Sequence, residues 1–102
     1  MTDNTSTVEH EQPKRGDWFQ TKNPYSSIRC KEYTAPPPCG EFMATLPTNH
    51  WFGPVHEVQR YKDFVSVSVP ARYTPGMLVW VNIENDGVRF AKLDRRWAGF
   101  LD

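Results

Sequence analysis

Two cysteines and two histidines, with metal-binding or nucleophilic chemistry, stand between residues 30 and 56: Cys30, Cys39, His50 and His56. Eight residues separate the cysteines, which fits none of the usual zinc-ligand pairs, and five separate the histidines. No metal site is therefore expected. Cys39, beside Gly40, is a conceivable nucleophile for either histidine, but nothing in the spacing demands it, and a structural thiol is the commoner state of such a residue. His56 and Glu57 are neighbours in a stretch that reads as a strand, so their side chains point to opposite faces and cannot act as a direct pair. Ser66 and Ser68 are expected mid-strand on a solvent face, with no histidine suggestively placed. With no phosphate-cradling glycine loop and no acidic metal cluster, the reading is a protein without catalytic residues and without a cofactor.

Aromatic side chains are the better lead. They make up 14% of the chain, and Trp51, Phe52, Tyr61, Tyr73, Trp80 and Trp97, with Phe90, are expected on loops or hairpin faces around one end of the fold. Interfaces concentrate their binding energy in Trp, Tyr and Arg, and Arg60, Arg95 and Arg96 lie close by in sequence. The competing use of any one of these rings is a second small core with Trp18, Phe19 and Tyr25, since large aromatics usually end up mostly buried. Trp80 leads the candidates, because strand alternation sets it opposite a uniformly apolar face.

That face belongs to the strongest structural signal in the sequence. Residues 77–83 and 88–93 are rich in β-branched and aromatic residues and flank Asp86-Gly87, which supplies the positive φ values of a tight hairpin turn. Met77, Val79, Val81 and Ile83 share one side; Leu78, Trp80 and Asn82 share the other. Residues 64–69 alternate strictly, with Val65, Val67 and Val69 inward. Residues 41–46 read as a first strand with Phe42, Ala44 and Leu46 on one face, and residues 55–58 as another. Pro47, Gly53 and Pro54 mark a loop carrying Trp51 and Phe52. Residues 94–99 fit one helical turn, and Phe100-Leu101 a last short strand. The expectation is an all-β protein: a small closed barrel of about five short strands over residues 41–102, with no long helix. A domain of about 60 residues buries only about 60% of its unfolded surface, so cover from elsewhere would help it.

Before the barrel, residues 17–40 form an aromatic and proline-rich arm in which no regular helix or strand is indicated, though its rings should pack on the barrel. Residues 1–16 are polar and read as a disordered tail. Arg15-Gly16-Asp17 spells an adhesion tripeptide and Asn4-Thr5-Ser6 a glycosylation sequon. Both are set aside as accidental in a chain that shows no apolar export signal. Lys plus Arg and Asp plus Glu each number 12, so there is no basic excess of the kind that nucleic-acid or membrane-surface binding uses. No apolar run approaches the roughly 20 residues of a membrane span. The cysteines are expected as free thiols in a soluble, cytoplasmic protein.

The order of these pieces resembles the bacterial-type Src-homology-3 (SH3-like) domain over about residues 41–102. The resemblance rests on Asn49 and Gly53-Pro54 after the first strand, the valine strand 64–69 and a loop ending at Gly76. Trp80-Val-Asn-Ile83, the Asp86-Gly87 turn, Phe90-Ala-Lys-Leu93 and the closing Gly99-Phe100-Leu101 complete it. The chain departs from that pattern at His50-Trp51 and in the longer loop 70–76, and the acidic loop and Pro-Ser-Asn-Tyr segment of proline-binding members are missing. The resemblance implies a small barrel, and a fold does not by itself fix a function. The leading functional expectation is a protein- or peptide-binding module of scaffold or adaptor type, using an aromatic groove flanked by residues 47–54 and 70–76. The alternatives are a single-stranded nucleic-acid binder that stacks bases on its aromatics, and a small enzyme or cell-wall-directed domain.

Overall fold

A computed structural model describes residues 12–22, 30–37, 39–72 and 74–94. The described residues form nine strands: β1 (Trp18–Thr21), β2 (Lys31–Tyr33), β3 (Phe42–Thr45), β4 (Trp51–Phe52), β5 (Glu57–Arg60), β6 (Phe64–Pro70), β7 (Leu78–Asn85), β8 (Val88–Arg89) and β9 (Ala91–Asp94). There is no helix among them, and none long and apolar enough to cross a membrane. The strands make two antiparallel sheets, one in the order β4-β1-β9 and the other β3-β2-β7-β6-β5 with β8 paired to β7. The all-β expectation holds. The fold is consistent with a small barrel-like arrangement, but the barrel is not closed: the described strands number nine rather than about five, and they form two separate sheets.

The core lies on the inner face of β6 and β7. Val65, Val67 and Val69 from β6 and Val79, Val81 and Ile83 from β7 are all buried there, as their alternation predicts, with Met77 packed against them. The hairpin turn is also as expected, with φ of 51° at Asp86 and 81° at Gly87. Asp86 tolerates this region through its short polar side chain, and Gly87 has no Cβ to clash. The second arm of the hairpin departs from expectation. Only Val88 and Arg89 pair with β7, opposite Asn85 and Glu84, so Val88 does not face Ile83. At Phe90 the chain changes sheets. Its N–H donates to the Ile83 carbonyl (2.7 Å) while its own carbonyl accepts from Lys22 N–H (3.0 Å), and residues 91–94 then pair with β1. One residue thus satisfies both sheets at the corner. Arg89, buried beside this corner, places Nε and Nη2 at 3.0 and 2.9 Å from Glu84 Oε1.

Within the segment 17–40, the described residues include two strands that were not expected, β1 at the centre of the smaller sheet and β2 beside β7 in the larger. Phe19 of β1 is fully buried and stacks on Phe52 of β4, with centroids 5.7 Å apart. Residues 12–16 do not behave as a tail either. Pro13 is buried, Arg60 donates to Gln12 Oε1, and Gly16 N–H donates to the Val55 carbonyl (2.9 Å). The disordered tail expected over 1–11 lies outside the described residues, as do the helical turn and last strand expected over 95–101. The strand expected at 55–58 begins instead at Glu57, with Val55 buried in the preceding loop.

A bulge explains the misreading of β3. Glu32 stands opposite Ala44, but Tyr33 stands opposite Phe42, which leaves Met43 as an extra residue. Two β3 residues then oppose one on β2, so alternation breaks and Phe42 no longer shares a face with Ala44. Phe42 is 55% exposed while Leu46 is fully buried.

Candidate binding face

The outer face of the larger sheet is fixed by register. Phe42 lies opposite Tyr33, Tyr33 opposite Trp80, Trp80 opposite Ser68, and Ser68 opposite Glu57. Cross-strand partners point to the same side, so these five form one row across β3, β2, β7, β6 and β5. Phe42 meets Tyr33 edge to face at 6.0 Å, and Lys31 Nζ sits 5.8 Å from the Phe42 ring centre. Trp80 takes the outward direction that its strand position predicts, yet it is only 9% exposed. The serines beside it are buried too, correcting the expectation that Ser66 and Ser68 face solvent. They lie on β6, the strand between β5 and β7. Ser68 Oγ accepts the Glu57 N–H at 2.9 Å. Ser66 Oγ and Asn82 Oδ1, on facing residues, are buried with no hydrogen-bond partner.

Two residues from Trp80 on the same face the surface opens. Leu78 is 42% exposed, and its cross-strand partner Pro70 is exposed as well. Both line an open, mostly apolar groove of about 310 Å³ together with Pro54 and Val55. Arg15, Gly16 and His56 complete it. The groove exists because two loops meet there: Val55 N–H donates to the Asp17 carbonyl (2.9 Å) and Gly16 N–H returns to Val55 (2.9 Å), while His56 N–H donates to the Ser68 carbonyl (2.8 Å). Arg15 stands at the corner of a turn closed by Asp17 N–H to the Lys14 carbonyl (3.0 Å), with φ of 91° at Gly16. A positive φ at the third position of such a turn calls for glycine. Asp17 is buried and its Oδ2 accepts the Lys14 N–H at 2.9 Å. The Arg15-Gly16-Asp17 tripeptide is therefore a structural turn whose carboxylate faces inward.

The aromatics picked out in the sequence are dispersed. Phe52 is 4% exposed and belongs to the core rather than to an exposed loop; its two-residue strand forms by pairing with β1 despite the flanking prolines. Trp51 is half-buried on β4, opposite Gln20. Tyr61 is exposed on the β5–β6 turn, stacked on Phe64 at 4.3 Å and donating its hydroxyl to Gln59 Oε1 at 2.6 Å. Trp80 is on β7. Tyr73 and Trp97 lie outside the described residues. Trp51, Tyr61 and Trp80 sit on three separate elements, whereas Tyr33, Phe42 and Leu78 are the outer-face residues that the sequence reading passed over. The signal for Leu78 was present, since it shares the Trp80 side of the strand. That for Phe42 was concealed by the bulge.

Chemistry of another kind sits where β1, β2 and β3 meet. Glu32 shares the inner face with Val81 and is buried, with Arg72 Nε 3.5 Å from its Oε2. Arg72 Nη2 also reaches the Thr45 carbonyl at 3.5 Å. Nearby, Thr21 Oγ1 accepts the His50 N–H (2.8 Å) and donates to the Pro47 carbonyl (2.6 Å). Burial and the Arg72 cation hold the His50 imidazole below its ordinary pKa, partly offset by Glu32. This is a polar junction that ties loop 70–76 to the sheet. Both cysteines are free, Cys39 exposed and Cys30 buried. Burial pushes the Cys30 thiol up to about 12, so it stays protonated and inert. Among the described residues no three His, Cys, Asp or Glu side chains converge to hold a metal.

Comparison of the chain with protein-family models, with curated proteins and with solved structures found no match.

Proposed function

We propose that this chain is a protein- or peptide-binding module of SH3-like type, with no catalytic role, that engages its partner through the outer face of the larger sheet. The observation that carries the reading is the exposure of Phe42 and Met43 (55% and 40%) at one side of that sheet and of Leu78 (42%) at another, the latter opening into an apolar groove. Exposed large side chains that continue into a concave apolar surface are how binding faces differ from scattered surface hydrophobics. The valine strand β6 and the Asp86-Gly87 turn, on which the SH3-like resemblance partly rests, are both formed. The groove's residues do not include Cys39, the candidate nucleophile.

Selection of a displayed peptide library on the immobilised full chain tests this reading. Peptides should be enriched that bind wild type and lose at least about tenfold in affinity to Leu78→Asp, the size of loss expected at an interface anchor. The variant's melting temperature should stay within a few degrees of wild type, because Leu78 is a partly exposed strand-end residue. Preference for a single-stranded oligonucleotide over every peptide would contradict the proposal.

A further inference from the structure

The groove at Leu78 is specific about charge as well as apolar surface. At about 310 Å³ it is at the small end of ligand sites, which run from about 300 to 1,000 Å³, so it suits one side chain and its immediate neighbour. Its lining carries two polar side chains, Arg15 and His56. The backbone N–H groups of Gly16, Val55 and His56 are already donated within the fold. Pro54 and Pro70 have no N–H to offer. What remains is the exposed guanidinium of Arg15, with no hydrogen bond or ion pair to any described residue, and the exposed imidazole of His56. No acidic residue lines the groove.

We propose that this groove takes a peptide segment of a partner protein in which an apolar side chain is followed directly by Asp or Glu. The apolar side chain lies against Leu78, Pro70, Pro54 and Val55, and the carboxylate accepts hydrogen bonds from Arg15 with His56 as the second donor. The inference rests on the binding-module reading and adds the chemistry of the partner. Charge complementarity supports it: a free cation beside an apolar hollow attracts a carboxylate that arrives with its own apolar neighbour, and guanidinium–carboxylate pairing is stronger than a neutral hydrogen bond. A lysine at the same place would meet an uncompensated like charge.

The test uses ¹⁵N-labelled full chain and three pools of short, end-capped peptides with a fixed central Leu-Asp, Leu-Asn or Leu-Lys and randomised flanks. The Leu-Asp pool should shift the amides of Gly16, Val55, His56 and Leu78. The Leu-Asn pool should need about tenfold more peptide for the same shift, the loss expected when a charge-assisted bond becomes neutral. In Arg15→Glu the order should invert, with Leu-Lys the strongest. Equal binding of Leu-Asp and Leu-Lys to wild type, or an unchanged order in Arg15→Glu, overturns the proposal. Shifts confined to Tyr33, Phe42 and Trp80 overturn the groove assignment while the binding-module reading stands. No shift from any pool at millimolar concentration overturns both.

Discussion

On their inner face β6 and β7 place Val65, Val67, Val69, Val79, Val81 and Ile83. On their outer face the same two strands place Ser66, Ser68, Leu78, Trp80 and Asn82. Both faces bury side chains, but by different means. The inner one is a continuous aliphatic layer. The outer one sets a large ring beside two serines, so that Trp80 and the serines are buried while Leu78, at the strand's end, is not. Outward direction and exposure are separate properties: strand alternation gives the first and does not fix the second. Trp80 is therefore buried on the outer side of the sheet, and the accessible surface lies at either side of it, around Phe42 and around Leu78.

Substitutions of graded severity sharpen this contrast. Trp80→Ala should cost about 3–5 kcal/mol in a urea titration, as large-to-small changes at buried aromatics do, even though the ring faces away from the valine layer. On the inner face, Val67→Thr preserves shape but inserts a hydroxyl into the fully buried apolar core. A loss of about 1–3 kcal/mol is expected from the same titration. The outer counterpart should go the other way. Ser66 Oγ is buried and without a hydrogen-bond partner, so Ser66→Ala removes a desolvated group and should leave stability unchanged or raise it by about 1 kcal/mol. A clear loss there would show that the two faces are less different than their compositions suggest.

The smallest effect concerns His50 in the junction with Arg72 and Glu32. Its pKa is lowered in the folded chain, chiefly by burial and then by Arg72, so below pH 6.5 the unfolded chain binds the proton more readily than the folded one. Stability from this group is complete above pH 6.5 and is lost progressively as pH falls towards the lower folded pKa. Denaturant midpoints measured across that window should decline for wild type, and His50→Gln should flatten that part of the decline.

Legibility in the sequence followed how locally each element is determined. The valine strand and the Asp86-Gly87 hairpin carry their own alternation and turn chemistry, and both were readable. β1 and β2 were not. Trp18–Thr21 has only four residues, and Lys31–Tyr33 presents a carboxylate to the inner face, where Arg72 from a distant loop accompanies it. Their strand character comes from pairing with β9, β4, β3 and β7, which no local pattern announces. The Met43 bulge inverted the expected face of Phe42, and Phe52 read as a loop ring because its short strand lies between prolines. At the candidate face, alternation made the outward direction of Trp80 and Leu78 legible, whereas the burial of the one and the exposure of the other depend on strands distant in sequence.

The division of that face between a structural ring and an accessible end is most directly tested by the urea midpoints of Trp80→Ala and Leu78→Ser measured side by side. The structure predicts a shift corresponding to about 3 kcal/mol or more for Trp80→Ala. It predicts one within about 0.5 kcal/mol of wild type for Leu78→Ser, as for an ordinary surface change. A Trp80→Ala midpoint matching wild type, with Leu78→Ser strongly destabilised, would contradict the account.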